Sequence, residues 1–363
     1  MVLRLLRLRK RFARREGVAP VATARDVAQR AGVSTSTVSH VSNDTRIVSD
    51  GVRRRVLEAM HELGYEPNAV ARSLKTRRSH TVALIMSDIG NPFFTSVVRG
   101  VEDVLRAHGF TLILGNSDED RGREEAYLRL LGAGRVDGLI LAPAGDSYPY
   151  IDRLMQTKTA LVFLDRVVAG SEVPAVLLDN SQAARMATQH LIALGHRRIG
   201  MVSGRPGIST TSERLAGYQA ALVAAGIAYD PCLVAEGRSR LEDARHATSR
   251  LLELEERPTA LVVANNLMTI GAVMAIEARG LDIPGDVALV GFDDAIWAEA
   301  FRPRLTTIAQ PTYEIGRTAA DLLMRRIESP TADVPARILL TGRLVIRESC
   351  GAKPSQRAGG AAA

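Results

Sequence analysis

Side chains able to make paired hydrogen bonds recur in this chain just after short apolar runs. Asn91, with Phe93 and Phe94, follows TVALIM; Asp165 and Arg166 close ALVFLDR; Arg214 follows IGMVSG; Asn265 and Asn266 follow ALVVA. Asp293 and Asp294 follow VALVGF, and Gln310 follows LTTIA. Carboxylate, guanidinium and amide groups offer two donors or acceptors side by side, and aromatic faces cover C–H surfaces. Such a set suits a polyhydroxylated small molecule, a sugar or a sugar derivative. Each residue also has an ordinary reading: Asn91 as a turn former, Asp165 and Arg166 as a surface ion pair, Phe93 and Phe94 as core, Asp293 as a helix cap. Repetition at successive strand ends is what favours one common ligand. A purine pocket would want ring stacking with few carboxylates; a purine or a phosphorylated metabolite is therefore the second choice of effector.

The elements that must position these residues are legible from the hydrophobic pattern. The runs above, together with FTLILG and VDGLILA, alternate with amphipathic stretches such as residues 96–108 and 212–226. That order predicts parallel sheets flanked by helices, whose ligands bind at the carboxyl ends of the strands. Trp297, the only tryptophan, lies just past Asp293 and is expected either at the pocket mouth or in rim packing.

A different pattern occupies the first eighty residues. TARDVAQRAGVSTSTVSHVSNDT, residues 23–45, reads as two short helices joined at Gly32, with Thr23 and Ser34 as hydroxyl caps. Val27, Ala31, Val38 and Val41 share an internal face, which leaves Thr35, Ser36, Ser39 and His40 outside on the second helix. Small polar side chains on such a helix suit base edges and phosphates in a major groove. After Ser49, a third helix carries Val52, Val56, Met60 and Leu63 at helical spacing, with Arg53, Arg54 and Arg55 on and around the solvent side. Beyond Gly64, YEPNAVARSLKTRRSH allows a short helix from Asn68 to about Lys75. A helix that short rarely holds alone in water, so DNA is its expected partner, with Arg72, Lys75, Arg77 and Arg78 near phosphates.

The run GVSTSTVSHV, its spacing to ELGYEPNAVARSLK and the body that follows resemble the lactose-repressor (LacI/GalR) family of bacterial transcriptional regulators over about residues 22–350. The headpiece is most similar to the purine-repressor branch. The resemblance implies a helix-turn-helix headpiece and an α/β, periplasmic-binding-protein-like body of two parallel-sheet, Rossmann-like subdomains. It implies DNA contacts from Thr23, Ser34, Thr35, Ser36, Thr37, Ser39, His40 and Asn43, and from Ala71, Arg72, Leu74 and Lys75 of the hinge. Leu74 occupies the position of a leucine that wedges into the minor groove. In the body, which is similar to ribose-type sugar-binding proteins, it implies effector contacts from Asn91, Phe93, Phe94, Asp165, Arg166, Arg214, Asn265, Asp293 and Gln310. Asn266 departs from the pattern, since relatives commonly carry aspartate there. Closure of the subdomains around an effector would shift two protomers and so couple effector to DNA. A homodimer reading a palindromic operator is the expected unit, most readily a repressor.

The expected boundaries are a basic, disordered extension at 1–21, the DNA-binding domain at 22–66, hinge and linker at 67–79, the body at 80–350 and a disordered tail at 351–363. Within the body, subdomain 1 spans about 80–179 and 310–338, and subdomain 2 about 180–309 and 339–350. Charge agrees: residues 1–80 hold 17 Lys and Arg against 7 Asp and Glu, an excess of ten, which leaves −3 for the rest of a chain of net charge +7. The two cysteines, Cys232 and Cys350, indicate neither disulfide framework nor zinc site, and a reduced cytoplasm fits. The leucines of MVLRLLRLRKRFARREGVAP are interrupted by arginine, so no signal-peptide core forms; the segment reads as a disordered tail or a start assigned too early. No run of apolar residues is long enough to span a membrane. No nucleophile elbow or metal-ligand spacing is present, and the turn SGRPG at 203–207 is a weak phosphate motif, so neither enzyme nor cofactor is expected. A transport receptor would not need residues 23–79.

Overall fold

Apolar spacing first builds a small helical unit. In the computed structural model, which describes residues 22–43 (the Asn43 side chain excepted), 46–65, 78–132, 135–145, 151 and 159–352, the chain forms a unit ending at Arg77 and a second from Arg78 onward. The first holds α1 (Ala24–Ala31), α2 (Thr35–Asn43) and α3 (Asp50–Leu63) around Val27, Ala28, Ala31, Val38, Val41, Val56 and Ala59. Thr23 caps α1 reciprocally: its Oγ1 accepts from the Asp26 amide at 3.4 Å, and its own amide donates to Asp26 Oδ2 at 2.8 Å. Gly32 ends α1 at φ +65, a left-handed backbone that a Cβ would strain. Ser34 Oγ then accepts from the Thr37 amide at 3.1 Å to start α2. On α3 the expected stripe is corrected at its end: Val56 and Ala59 are buried, but Leu63 is exposed. Seven residues on, Leu63 lies within about 20° of Val56 around the helix, so its exposure comes from its place as the last residue of α3 and not from its angle.

The second unit continues with β1 (Thr81–Met86), α4 (Pro92–Ala107), β2 (Thr111–Asn116), α5 (Arg121–Leu131), β3 (Gly138–Leu141), β4 (Ala160–Leu164) and β5 (Ala175–Leu178). There follow α6 (Asn180–Ala193), β6 (Ile199–Ser203), α7 (Ser209–Ala224), β7 (Val234–Glu236), α8 (Leu241–Leu252), β8 (Ala260–Val263), α9 (Asn266–Glu277) and β9 (Ala288–Phe292). β10 (Thr306–Ala309), α10 (Thr312–Glu328), β11 (Arg337–Leu340) and β12 (Arg343–Val345) complete it. Two six-stranded sheets result, ordered β11-β5-β4-β3-β1-β2 and β12-β10-β9-β8-β6-β7. All pairings are parallel except β10 with β12. Continuous apolar strands such as the TVALIM of β1 are what a sheet covered on both faces requires.

The lobes interleave in sequence. The chain leaves the first sheet after β5, returns after β10 through Gln310 to α10 and β11, and enters the second again at Thr341–Gly342. That last crossing lies past the boundary drawn near 338, because β11 runs to Leu340. α10 packs on α4 closely enough that a Cβ on Gly316 would come 2.1 Å from Val97 O, and one on Gly100 2.2 Å from Tyr313 O.

Candidate functional site

The carboxyl ends of both sheets face a cavity between the lobes, and loop and helix-start residues line it. Asn91 caps α4, its Oδ1 accepting from the Phe93 amide at 2.9 Å, and Pro92 starts the helix. Phe93 and Phe94 are both core, as one ordinary reading had it, and lining, with rings 5.0 Å apart and nearly perpendicular. Asn265 caps α9 in the same way, Oδ1 accepting from the Met268 amide at 2.7 Å.

The charged residues are buried rather than superficial. Asp165 directly follows β4 at φ +65, and Asp293 directly follows β9 at φ +69. Burial pushes both carboxyls above their ordinary range, against the pull of nearby arginines: chiefly Arg166 at Asp165, and Arg214 at Asp293. Arg166 is held by Glu119 in a two-point contact, Nη1 to Oε2 at 2.8 Å and Nη2 to Oε1 at 2.7 Å, while its Nε lies 3.3 Å from Asp165 Oδ2. Burial alone would lower the Arg166 pKa; the Glu119 and Asp165 charges reverse this and raise it. Gln310 Nε2 donates to Asp293 Oδ1 at 2.5 Å, and the Asn266 amide to Asp293 Oδ2 at 3.2 Å.

Arg214 differs from its expected placement at a strand end. It lies inside α7, where Thr210, Arg214, Gly217 and Tyr218 form the buried face. From there its guanidinium sits 4.4 Å over the Phe292 ring, donates to the Ala264 carbonyl, and through Nε to Asn180 Oδ1 at 2.8 Å. Asn180 in turn donates to Glu213 Oε2 at 2.9 Å.

All nine residues expected to touch an effector line this one cavity. Asn266 is completely buried beneath it, its Nδ2 donating across the lobes to Asn91 Oδ1 at 2.9 Å. Asp294 turns away to a two-point ion pair with Arg347 at 2.6 and 3.0 Å. Trp297 takes the rim-packing role, edge-on to Phe301 at 5.6 Å, and does not line the cavity. Sequence reasoning missed Thr210, Thr211 and Ser239 in the lining, and Glu119 and Asn180 behind it. The hydroxyls leave no pattern, but Ser239 beside Arg240, in a glycine-flanked loop after an apolar strand, was a readable place to look. The free space in the cavity, about 30 Å³, has room for one or two water-sized molecules. Admitting a monosaccharide therefore requires the lobes or the Arg214 side chain to move.

On the first unit, Thr35 and Ser36 are exposed on α2, Thr37, Ser39 and His40 are half-buried, and Asn43 is its last residue. Thr23 and Ser34 stand exposed at the helix starts, each engaged as a cap. The hinge residues Ala71, Arg72, Leu74 and Lys75, like 1–21 and 353–363, lie outside the described residues.

Two family profiles divide the chain as the two units do. The bacterial regulatory proteins of the lacI family match residues 23–68, and the periplasmic binding proteins and sugar binding domain of the LacI family match 79–348. The chain belongs to the LacI family. It is 37% identical over 334 residues to the HTH-type transcriptional repressor PurR of Photobacterium profundum, covering 91% of this chain and 98% of that one. It is equally 37% identical over 329 residues to the ribose operon repressor of Haemophilus influenzae, with the same coverage. Among solved structures, a lac repressor dimer bound to operator and the anti-inducer ONPF is similar at TM-score 0.81 and 30% identity, covering 91% of this chain and 99% of that one. A complex of the regulator CelR with cellobiose is similar at 0.69 and 35%, covering 90% and 99%. This LacI-family protein is thus a DNA-binding transcriptional repressor, not an enzyme, and answers to a small-molecule effector rather than a cofactor. Among the described residues no helix is long and apolar enough to cross a membrane.

Proposed function

We propose that this LacI-family repressor binds a palindromic operator as a cytoplasmic homodimer, and that an uncharged pentose or hexose seated between the lobes controls it. The carrying observation is the convergence of buried Asp165, Arg166, Arg214 and Asp293 on one cavity, beside two buried amide oxygens, Asn266 Oδ1 and Gln310 Oε1, that accept no hydrogen bond. Hydroxyl groups donate and accept at once, which suits carboxylates, guanidinium groups and amide oxygens in close order. Relatives that are repressors of ribose genes, and a neighbour solved with cellobiose, support the same class. The operator would be read by Thr35, Ser36, Ser39 and His40, with Thr23, Ser34, Thr37 and Asn43 at its edges. Leu74 would open the central base step, with Ala71, Arg72 and Lys75 along the hinge.

A purine effector is the second reading, favoured by the PurR relatives and by the stacked-edge pair of Phe93 and Phe94. Calorimetric titration of the full chain with D-ribose, other pentoses, hexoses, cellobiose, hypoxanthine and guanine separates the two. Heat with a sugar alone supports the first reading; heat with a nucleobase alone replaces it with the second. Fluorescence anisotropy on operator DNA, with and without the bound compound, then gives the sign of control. Leu74→Ala should weaken operator binding at least tenfold and leave the titration unchanged, since the wedge holds open a bent duplex whose added contacts more than repay an unstacking cost of about a few kcal/mol per step.

A further inference from the structure

Glu119 takes part in two contacts of different kinds. Its buried carboxylate grips Arg166 at 2.7 and 2.8 Å, inside its own lobe. Its backbone carbonyl accepts from Nη1 of Arg205, on the loop after β6 in the other lobe. The residue before it repeats the arrangement: the Asp118 carbonyl and Oδ1 each accept from Arg240 Nη2 at 2.8 Å, and Arg240 Nη1 reaches Asp88 at 3.3 Å. Asp118 and Glu119 are both left-handed, at φ +53 and +58, as are Arg238 and Ser239 facing them, at +48 and +62. Four non-glycine residues in that region, on two facing loops, are costly, and such strain persists only where surrounding contacts enforce it.

We infer that Glu119 is a positioning residue that couples the orientation of Arg166 in the effector cavity to closure of the lobes through Arg205. It rests on the reading of this cavity as the effector site. Opening the cleft removes Arg205 from the Glu119 carbonyl, relaxes the 118–119 backbone and releases the two-point hold on Arg166. Conversely, an effector that engages Arg166 fixes Glu119 in the geometry that receives Arg205. A purely local ion pair would stabilise its own lobe without sensing the other. Such pairs are no more stable than apolar replacements, so their presence in a cavity wall calls for another role.

The fold supplies its own reporter. The Val167 amide, next to Arg166, donates across the cleft to Ser209 Oγ at 3.1 Å, so its hydrogen exchange reads closure with no ligand present. In the ligand-free full chain, Arg205→Ala should speed Val167 exchange about fivefold, as expected for loss of one hydrogen bond from a local opening equilibrium. Glu119→Gln should do the same, and the double variant should be no faster than the faster single. Val167 exchange within twofold of wild type in either single variant, or single effects that multiply in the double, would overturn the coupling. Arg205 is half-buried in the other lobe, so its variant decides the question should Glu119→Gln fold poorly. Titration with D-ribose is a separate arm. If no sugar binds wild type, the effector reading fails while the exchange comparison still stands.

Discussion

The two lobes of the body share a plan and differ in how they hold charge. Each is a six-stranded sheet, and in each the strand third from one edge, β4 or β9, ends on a left-handed aspartate turned into the cavity. Around Asp165 the partners are ionic, with Arg166 and behind it Glu119. Around Asp293 they are largely neutral, with Gln310 and the Asn266 amide, while Arg214 reaches over from α7. One lobe thus offers a charge network tied to lobe closure, the other an amide cradle with one arginine. The lesson is that equivalent backbone positions can be given different electrostatic duties by neighbours far away in sequence.

The largest test is Arg214→Ala. It takes the chief counter-charge from Asp293 and a further cation from Asp165 and Glu213. A loss of roughly 3–5 kcal/mol in denaturant unfolding is expected, with effector binding abolished; retention of either would remove Arg214 from the centre of the site. Next come Gly316→Ala and Gly217→Ala, where a Cβ would lie 2.1 Å from Val97 O in one lobe and from Ser181 O in the other. Each should cost about 1–3 kcal/mol by overpacking, and clearly unequal costs would break the symmetry of the framework. Replacing the Glu119, Arg166 and Asp165 network with neutral residues, Glu119→Leu with Arg166→Met and Asp165→Asn, should change stability by less than about 2 kcal/mol. It should nevertheless eliminate effector heat in calorimetry.

The smallest effect is on pH. Asp165 and Asp293 titrate above their ordinary value of 3.8, so the ligand-free native state holds protons that the unfolded chain has released. Their joint contribution to stability is therefore present at low pH and falls as pH rises from 3.8 through the raised values. Effector affinity should run oppositely, weakening as acidification protonates the acceptors. Calorimetry from pH 5 to 8 on wild type and Asp293→Asn, at about equal ionic strength, checks the sign: the variant should show the flatter profile.

Much of this architecture is legible in the sequence alone. The headpiece was legible because Thr23, Gly32 and Ser34 are local punctuation, and Val27, Ala31, Val38 and Val41 are a local period. The aspartates and asparagines were found because strands β1, β4, β8, β9 and β10 are continuous apolar runs with a sharp end. β5, β7, β11 and β12 were not among the expected strands: β7 and β12 are three residues long, β11 is an edge strand with Arg337 and Leu339 exposed, and β5, AVLL, is as short, apolar and buried as β3 and was readable. Glu119 was hidden for a different reason. Its role comes from Arg166, distant in sequence, and nothing local separates it from the other acids of SDEDRGREE. Arg214 was identified correctly as a cavity residue but on the wrong kind of element, since its reach comes from a helix face.

The contact of Gly100 with α10 has a consequence for synthesis. The first lobe cannot close its hydrophobic face until residues around Gly316 leave the ribosome, some two hundred residues later. At ordinary elongation rates that delay is on the order of ten to forty seconds. The DNA-reading helices emerge long before then, so every new molecule spends its first moments with a reader and no regulator.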